Sequence, residues 1–200
     1  SAYDQKGCAY VKEFVNMSKI NRVYKNYVEN IPQFDKCIKS IKKEDKGFYR
    51  IGTSVYNNSN ISIRQNYKSL NMYLSIGNKY ISNFSKDLLI LGINPTNALR
   101  ELDSRTKVTT LLGCKYYVVP KDRIQYIPYG YEQFKEEKDS VVYQNKNSLG
   151  IAVFYNNYIL QKDYDELTPL EKEQALLETA VIKEAPNNKN VVYGNQRLED

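Results

Sequence analysis

The residue best suited to contacting a charged ligand is Arg50, which interrupts the aromatic and apolar run Phe48, Tyr49, Arg50, Ile51. Aromatic and β-branched residues favour strands, so the run predicts a strand. A guanidinium on such a strand is either paired with a carboxylate inside the protein or exposed. In the exposed case its planar donors suit bidentate contact with phosphate or carboxylate. The residues alone leave both roles open.

Tyrosine supplies a second kind of binding chemistry, because the chain has 19 tyrosines and no tryptophan. A tyrosine ring offers an apolar face to a sugar ring, and its hydroxyl group forms hydrogen bonds. The same amphipathic shape also fills strands and interfaces, so we expect most of the tyrosines to be structural. Turn-forming residues surround Tyr129, Tyr131, Tyr155 and Tyr158, and we expect these side chains to be the most exposed.

Several catalytic classes are excluded because the chain contains no histidine. The Ser-His-Asp and Cys-His arrangements and the usual zinc sites all need one. No glycine-rich phosphate loop is present, and no pair of carboxylates stands out for acid–base hydrolysis. The three cysteines lack CxxC spacing, so we expect buried free thiols, with a Cys8–Cys37 disulfide left open. We predict no cofactor and no metal site.

The charge balance points to acidic partners. The formal net charge is +6 and the pI is about 9.0, which favours nucleic acid, an anionic membrane surface or a teichoic-type polymer. No RRM, KH or helix-turn-helix signature is present, so nucleic acid is not predicted as a partner. The longest apolar run, residues 88–91, is far shorter than the ~20 residues that span a bilayer. We therefore expect the chain itself to be soluble.

A central helix is the element most clearly predicted. Asn94 is a good cap, Pro95 suits the first helical position, and apolar residues recur at helical spacing over residues 94–112. Gly113 then ends the helix. A second helix is predicted from Thr168, where Thr168 and Glu171 form a capping box around a proline at the first helical position.

Strands are predicted where β-branched and aromatic residues cluster. These runs are residues 48–55, 116–119, 141–143 and 151–155, and turn-forming residues between the last two indicate a hairpin. Residues 61–65 are a further possible strand. Amphipathic spacing over residues 11–43 predicts N-terminal helices.

Together these elements predict an α+β fold, with N-terminal helices and a central helix packed on a mainly antiparallel β-sheet. We assign one domain to residues 1–184. It comprises a helical segment at 1–46 and a sheet-containing core at 47–184. Residues 185–200 are interpreted as a linker or the start of a following domain, because their composition is polar and loop-like.

Four segments of the chain resemble the YfhO family, in the same order. They are GFYRI at residues 47–51, LLGCKYYVV at 111–119, VVYQNKNSLGIAVFY at 141–155 and TPLEKEQALLETAVIKE at 168–184. Members of that family are large bacterial multi-pass membrane proteins, regarded as GT-C-type glycosyltransferases that act on lipid-linked sugars outside the cytoplasmic membrane. The resemblance implies that this chain is an extracytoplasmic portion of such a protein.

The resemblance also implies a function and partners. It suggests a part in glycosylating a cell-wall polymer of the lipoteichoic acid type, with the catalytic residues lying outside this chain. Expected partners are the transmembrane part of the same polypeptide, a lipid-linked sugar or cell-wall polymer, and an anionic membrane surface. The alternative is a stand-alone module that binds carbohydrate or an anionic polymer.

The resemblance singles out candidate ligand-binding residues in two segments. Arg50 and Tyr49 lie in the matching GFYRI segment. Asn66, Tyr67 and Ser75 lie in NYKSLNMYLS, where similar proteins carry a polar segment rich in asparagine and serine. No residue is predicted to be catalytic.

Overall fold

The computed structural model describes residues 17–18, 21, 34–54, 60–73, 76–91, 93–94, 98–99, 102–150, 152–185 and 192–193. The chain divides into two compact units, Ser1–Asp35 and Lys36–Asp200, and nearly all described residues belong to the second. The helices predicted before residue 32 fall mostly outside the described residues. None of the described helices has the length and apolar character needed to cross a bilayer. The predicted division at residues 46 and 184 stays a prediction.

The described elements of the second unit follow one another along the chain as a mixture of short helices and strands. They are α1 (Asp35–Glu44), β1 (Arg50–Thr53), α2 (Ile61–Gln65), β2 (Met72–Tyr73), α3 (Lys79–Asp87), β3 (Ile93–Asn94), β4 (Ala98–Leu99), α4 (Thr106–Leu111), β5 (Cys114–Pro120), a 3₁₀ helix (Lys121–Tyr126), β6 (Glu132–Glu136), β7 (Ser140–Gln144), β8 (Asn157–Leu160), α5 (Gln161–Asp165), α6 (Pro169–Glu178), β9 (Ala180–Ile182) and β10 (Val192–Tyr193).

The described strands form three sheets. The largest has four strands in the order β1-β5-β7-β6, in which β1 pairs with β5 in parallel and the other pairs are antiparallel. The second sheet, β10-β8-β9, is parallel, and the third, β2-β4-β3, is antiparallel. Helices packed on a mainly antiparallel four-stranded sheet confirm the predicted α+β class.

The core is centred on β5, which has buried side chains along nearly its whole length. The side chains packed around it come from α4 and from the segments before it, and include Leu70, Leu88, Leu102 and Val108. Side chains on both faces of β5 are buried, which explains its apolar composition. Cys37 and Cys114 are buried free thiols, as predicted, whereas Cys8 lies outside the described residues.

The helix predicted over residues 94–112 is wrong in its first half. That part contains β3 and β4, and the helix α4 begins only at Thr106. Asp103 and Ser104 have φ angles of 51° and 55°, a left-handed conformation that interrupts a right-handed helix. The predicted end is confirmed, because Gly113 has a φ angle of 67° and follows the last turn of α4.

The hairpin predicted between residues 141–143 and 151–155 is also wrong. Strand β7 lies between β5 and β6, so it has no free edge for a further strand. Residues 152–155 form no strand, and the next one is β8, which pairs with β9 and β10. The possible strand at residues 61–65 is the helix α2.

Predictions that rest on strong local signals are confirmed. Helix α6 begins with the full capping box, in which Thr168 accepts from the Glu171 backbone and the Glu171 side chain accepts from the Thr168 backbone. The strands predicted at 116–119 and 141–143 lie within β5 and β7, and residues 50–53 of the predicted strand 48–55 form β1.

Candidate functional site

A small cleft, partly open to solvent and with an accessible volume of about 10 Å³, lies at the carboxyl end of β1. Its polar lining comes from Thr53, Asn71, Ser104, Thr109 and Tyr117. A single water molecule needs roughly 10–15 Å³ of such volume, so the cleft as it stands has room for one small polar group, such as one hydroxyl group of a larger ligand.

The wall of the cleft is set by the contact between Gly52 and Tyr117. A Cβ atom on Gly52 would lie only 2.5 Å from Cδ2 of Tyr117, so the ring rests directly on the glycine backbone. On its other side the Tyr117 ring meets Tyr131 edge to face, with 6.0 Å between the ring centroids. The tyrosine ring is therefore held in one position by packing.

Asn71 is tied to the end of β1. Its Nδ2 donates to the backbone oxygen of Thr53 at 3.2 Å and to Thr53 Oγ1 at 3.1 Å. Its backbone N–H donates to Ser69 Oγ at 2.9 Å. Asn71 and Thr53 are both buried, so these bonds hold the amide group in a fixed orientation.

The cleft is neutral in chemical character. Among the described residues that line it, none is acidic or basic. Most of the lining surface is apolar, from residues such as Leu70, Leu102 and Pro128, and its polar groups are hydroxyls and an amide. Such groups both donate and accept hydrogen bonds without carrying charge. The lining suits a neutral polar ligand, such as the hydroxyl groups of a sugar, better than a phosphate or carboxylate.

Three loops meet at the border of the cleft and are joined by hydrogen bonds. The Leu91 backbone N–H donates to Asp103 Oδ2 at 2.6 Å. Ser104 Oγ donates to the Tyr126 carbonyl at 3.2 Å, and Thr106 Oγ1 donates to the Tyr129 carbonyl at 2.6 Å. Because Ser104 also lines the cleft, these loops form part of its border.

The predicted ligand-binding residues Tyr49 and Arg50 lie at the opposite end of β1. Arg50 Nη1 donates to the Leu112 carbonyl at 2.6 Å, and the Arg50 backbone N–H donates to the Gly113 carbonyl at 2.8 Å. The guanidinium therefore binds the carbonyl at the end of α4. The sequence left open an internal carboxylate partner or an exposed contact with a ligand, and this contact with a backbone carbonyl is neither of them.

Tyr49 belongs to a cluster around Asp45. The Tyr49 hydroxyl donates to the Asp45 carbonyl at 2.9 Å, and its ring meets that of Tyr116 at a centroid distance of 5.1 Å. Asp45 Oδ2 accepts from Lys115 Nζ at 2.5 Å and from the Tyr116 hydroxyl at 2.9 Å. The side chain of Asp45 is 16% exposed, so the ion pair sits at the edge of the core.

The electrostatics of this cluster stabilise the charged form of Asp45. Desolvation opposes that charge, but hydrogen bonds from Lys115, the Gly47 backbone and Tyr116 outweigh it and lower the pKa of Asp45. Desolvation, together with the nearby carboxylate of Asp45, raises the pKa of Tyr116 well above its ordinary value. Both pKa values move away from neutrality.

The other predicted residues lie beside β1. Asn66 adopts a left-handed conformation at the end of α2, and its carbonyl accepts from Lys42 Nζ at 2.9 Å. Tyr67 is partly buried, and burial raises its pKa. The segment that follows runs along β1, since Ile51 donates to the Lys68 carbonyl at 2.8 Å. Ser75 lies outside the described residues.

The structure thus brings the Tyr49–Arg50 and Asn66–Tyr67 segments close together but places the cleft elsewhere. Sequence reasoning missed Thr53, Asn71, Thr109 and Tyr117. One signal in the sequence could have indicated the contact with Tyr117. Gly52 is an isolated glycine inside an apolar strand, and such glycines mark places where another group approaches the backbone closely. Nothing in the sequence indicated that residues 53, 71, 109 and 117 would share one cleft.

The tyrosines predicted to be exposed have different environments. Tyr129 is 92% exposed, as predicted. Tyr131 is buried instead, and its hydroxyl donates to the Cys114 carbonyl at 2.7 Å. Tyr155 and Tyr158 are half-buried, and the Tyr155 hydroxyl donates to the Leu176 carbonyl at 2.7 Å.

Comparison with known proteins identifies relatives of this chain. The family model described as "Bacterial membrane protein YfhO" matches residues 9–197. A Bacillus subtilis (strain 168) protein named "Uncharacterized protein YfhO" is 29% identical over 145 residues, which is 72% of this chain and 17% of that protein. The chain therefore spans about a sixth of the length of this relative. No solved structure matches the chain. The match to the family model covers nearly the whole chain, so the chain belongs to the YfhO family of bacterial membrane proteins.

Proposed function

We propose that this chain is an extracytoplasmic domain of a membrane-bound glycosyltransferase that acts on lipid-linked sugars. The glycosylated product would be a cell-wall polymer of the lipoteichoic acid type. In this proposal the domain is not catalytic and accepts one hydroxyl group of a sugar-bearing substrate in the small cleft at the end of β1. The observation that carries the proposal is the neutral lining of that cleft, with its hydroxyl and amide groups beside Tyr117.

The pattern of ionisation supports a non-catalytic domain. A general acid or base works best with a pKa near the operating pH. Among the described residues, the carboxyl groups with resolved shifts have lowered pKa values, and the thiol and phenol groups with resolved shifts have raised ones. Lys135 also has a raised pKa, because Glu44 accepts a hydrogen bond from it. These shifts all lead away from neutrality.

The lining of the cleft supports a sugar ligand. Sugar rings present hydroxyl groups around an apolar face, and proteins bind them with neutral hydrogen-bonding groups beside aromatic rings. Asn71 and Thr53 supply fixed polar groups, and Tyr117 supplies an aromatic wall. The net charge of +6 is compatible with the anionic backbone of a teichoic-type polymer.

Calorimetric titration tests this proposal. The purified chain is titrated with glycosylated lipoteichoic acid and with its sugar-free backbone at two salt concentrations. We expect the glycosylated polymer to bind more tightly, with a difference that persists at the higher salt concentration because the cleft contacts are neutral. Equal binding of both polymers, or binding that salt abolishes, contradicts a sugar-binding cleft.

Two substitutions then locate the binding site along β1. We expect Asn71→Ala to weaken binding about tenfold, which corresponds to the loss of roughly one hydrogen-bonding group. Asn83→Ala, on the exposed surface of α3, is the matched control and should bind like the parent chain. Arg50→Ala tests the residue predicted from the sequence. If Arg50→Ala weakens binding and Asn71→Ala does not, the ligand binds at the other end of β1.

A further inference from the structure

A group of exposed apolar side chains lies on the three joined loops, near the cleft-lining residues Ser104 and Pro128. They are Leu89 and Leu91 after α3, Ile124 and Tyr126 in the 3₁₀ helix, and Tyr129 in the following turn. We call these five residues the apolar rim. Leu91 is 89% exposed and Tyr129 is 92% exposed, so these large side chains have no packing partner within the described chain.

Buried neighbouring residues fix the backbone that carries the apolar rim. Pro128 and Tyr131, on either side of Tyr129, are both buried, so they anchor the turn while Tyr129 points outward. On the other loop, Leu88 and Ile90 are buried on either side of exposed Leu89. Arg105 Nη1 also donates to the Leu88 carbonyl at 2.5 Å. The backbone that carries these exposed side chains is therefore fixed by buried residues and hydrogen bonds.

The composition of the rim matches surfaces that lie at the boundary between lipid and water. Tyrosine is enriched at that boundary because its ring is apolar and its hydroxyl stays hydrated. Leucine and isoleucine provide the area that enters the lipid, and basic side chains beside them reach the headgroups. Lys107 and Arg123 are exposed on the same loops or next to them. Lys121 is also exposed but pairs with Glu136, and Asp122 adds one exposed acidic group.

We propose that the apolar rim rests on the surface of an anionic lipid bilayer, with Leu91 and Tyr129 inserted at the level of the headgroups. The chain belongs to a family of bacterial membrane proteins. Its relative is much longer than this chain, and the remaining part of such a protein would hold this domain at the membrane. The positive net charge of the chain matches an anionic lipid surface. The inference does not depend on whether the cleft binds a sugar.

The absence of tryptophan allows a direct test, because a single introduced tryptophan is then the sole indole reporter. Tyr129→Trp places the reporter in the rim, and Tyr80→Trp places it at another exposed site near the start of α3, where Tyr80 is 69% exposed. Each variant is mixed with vesicles of phosphatidylcholine containing phosphatidylglycerol, with and without brominated acyl chains. Sedimentation of the vesicles measures binding.

We expect the Tyr129→Trp emission to shift to the blue on vesicle binding and to be quenched by the brominated lipid, while the Tyr80→Trp emission stays unchanged. Replacing Leu91 and Tyr129 by serine should weaken vesicle binding roughly tenfold or more, because most of the inserted apolar area is lost. The matched control replaces Ile76 and Tyr80 by serine and should bind like the parent chain.

Three outcomes overturn the proposal. The chain fails to sediment with the vesicles, the two tryptophan reporters respond alike, or the control pair weakens binding as much as the rim pair. The urea midpoints of all variants are measured alongside, and we expect them to be unchanged because the replaced side chains are exposed.

Discussion

Arg50 donates from Nη1 to the carbonyl oxygen of Leu112 at 2.6 Å, which joins the start of β1 to the end of α4. The two residues are 62 positions apart in the sequence, and the neighbouring backbone bond from Arg50 to Gly113 strengthens the same connection. The last carbonyl groups of a helix lack partners within the helix, and a cation there is favourable. Arg50 therefore has a structural role that is independent of any ligand.

Replacing Arg50 should destabilise the fold. Arg50→Ala removes a hydrogen bond from a charged donor in a partly buried position, so we expect the free energy of unfolding to fall by about 1–3 kcal/mol. Arg50→Lys should recover part of the loss. Urea unfolding measures both. Arg123→Ala, on an exposed arginine of the 3₁₀ helix, is the control, and an equal loss in both alanine variants contradicts the assigned role.

Gly52 should tolerate no side chain. Gly52→Ala brings a methyl group to 2.5 Å from the Tyr117 ring, so either the ring or β1 must move. Overpacking of this kind costs about 1–3 kcal/mol. Gly150→Ala is the matched control, since its Cβ would have no neighbour closer than 3.9 Å. Thermal or urea unfolding of the two variants distinguishes the clash with the Tyr117 ring from a general effect of adding a methyl group. Equal stabilities of the two variants would show that the Tyr117 ring moves aside at no cost.

Asp45 should make the stability of the fold depend on acid. Its folded-state pKa is lowered, so its contribution is complete above the ordinary pKa of an aspartate and is lost as the pH falls through the lowered value. Asp45→Asn should therefore lower stability at pH 7 and reduce its dependence on pH below about 4. Urea midpoints measured between pH 2.5 and 7 test this. Asp139→Asn, an exposed carboxylate, is the control, and parallel curves for the parent chain and Asp45→Asn would refute the argument.

The ion pair between Arg105 and Glu173 should matter more than a surface pair. Arg105 Nε lies 2.5 Å from Glu173 Oε1, and the two side chains are 19% and 6% exposed. Removing one member of a buried pair strands the other charge, which costs up to about 3–5 kcal/mol, and the partial exposure of Arg105 places Glu173→Gln near the lower end. Glu166→Gln is the exposed control.

A double substitution distinguishes this charge effect from loss of packing. Arg105→Met combined with Glu173→Leu removes both charges, so we expect it to recover much of the stability that Glu173→Gln loses. Urea unfolding gives the free energies of unfolding of the parent chain, of Glu173→Gln and of the double variant. If the double variant is no more stable than the single one, the loss comes from packing between α4 and α6 and not from a stranded charge.

The two buried thiols should be inert in the folded protein. Burial raises the pKa of Cys37 to about 11 and that of Cys114 to about 12, so the reactive thiolate is scarce near neutral pH. In a Cys8→Ser variant, a thiol reagent such as DTNB should therefore react only after denaturant is added, and then with two thiols. Fast reaction of either thiol in native buffer would contradict the burial of these side chains.

Elements that follow from contacts within a few residues could be read from the sequence. The capping box of α6 and the left-handed glycine after α4 are such cases, because each depends on a short segment and its own backbone. The β-branched and aromatic residues of β5 likewise indicated a strand. The α+β class followed from these elements together.

Elements that depend on distant partners could not be read in this way. Strand β6 has the polar sequence EQFKE because it lies at the edge of the sheet, and only its pairing with β7 makes it a strand. The apolar spacing of residues 94–112 suited a long helix, yet pairing with β2 draws its first half into strands. Long-range pairing overrides local preference when it buries more surface.

The cleft and the Arg50 contact were decided entirely by the tertiary structure. Asn71 reaches Thr53 across 18 positions, and Arg50 reaches Leu112 across 62, so no local pattern could connect them. The sequence by itself determined the family resemblance, the start of α6, the end of α4 and the absence of histidine chemistry. The position of each functional group relative to the others followed only when β1 paired with β5, because that pairing brings these distant segments together.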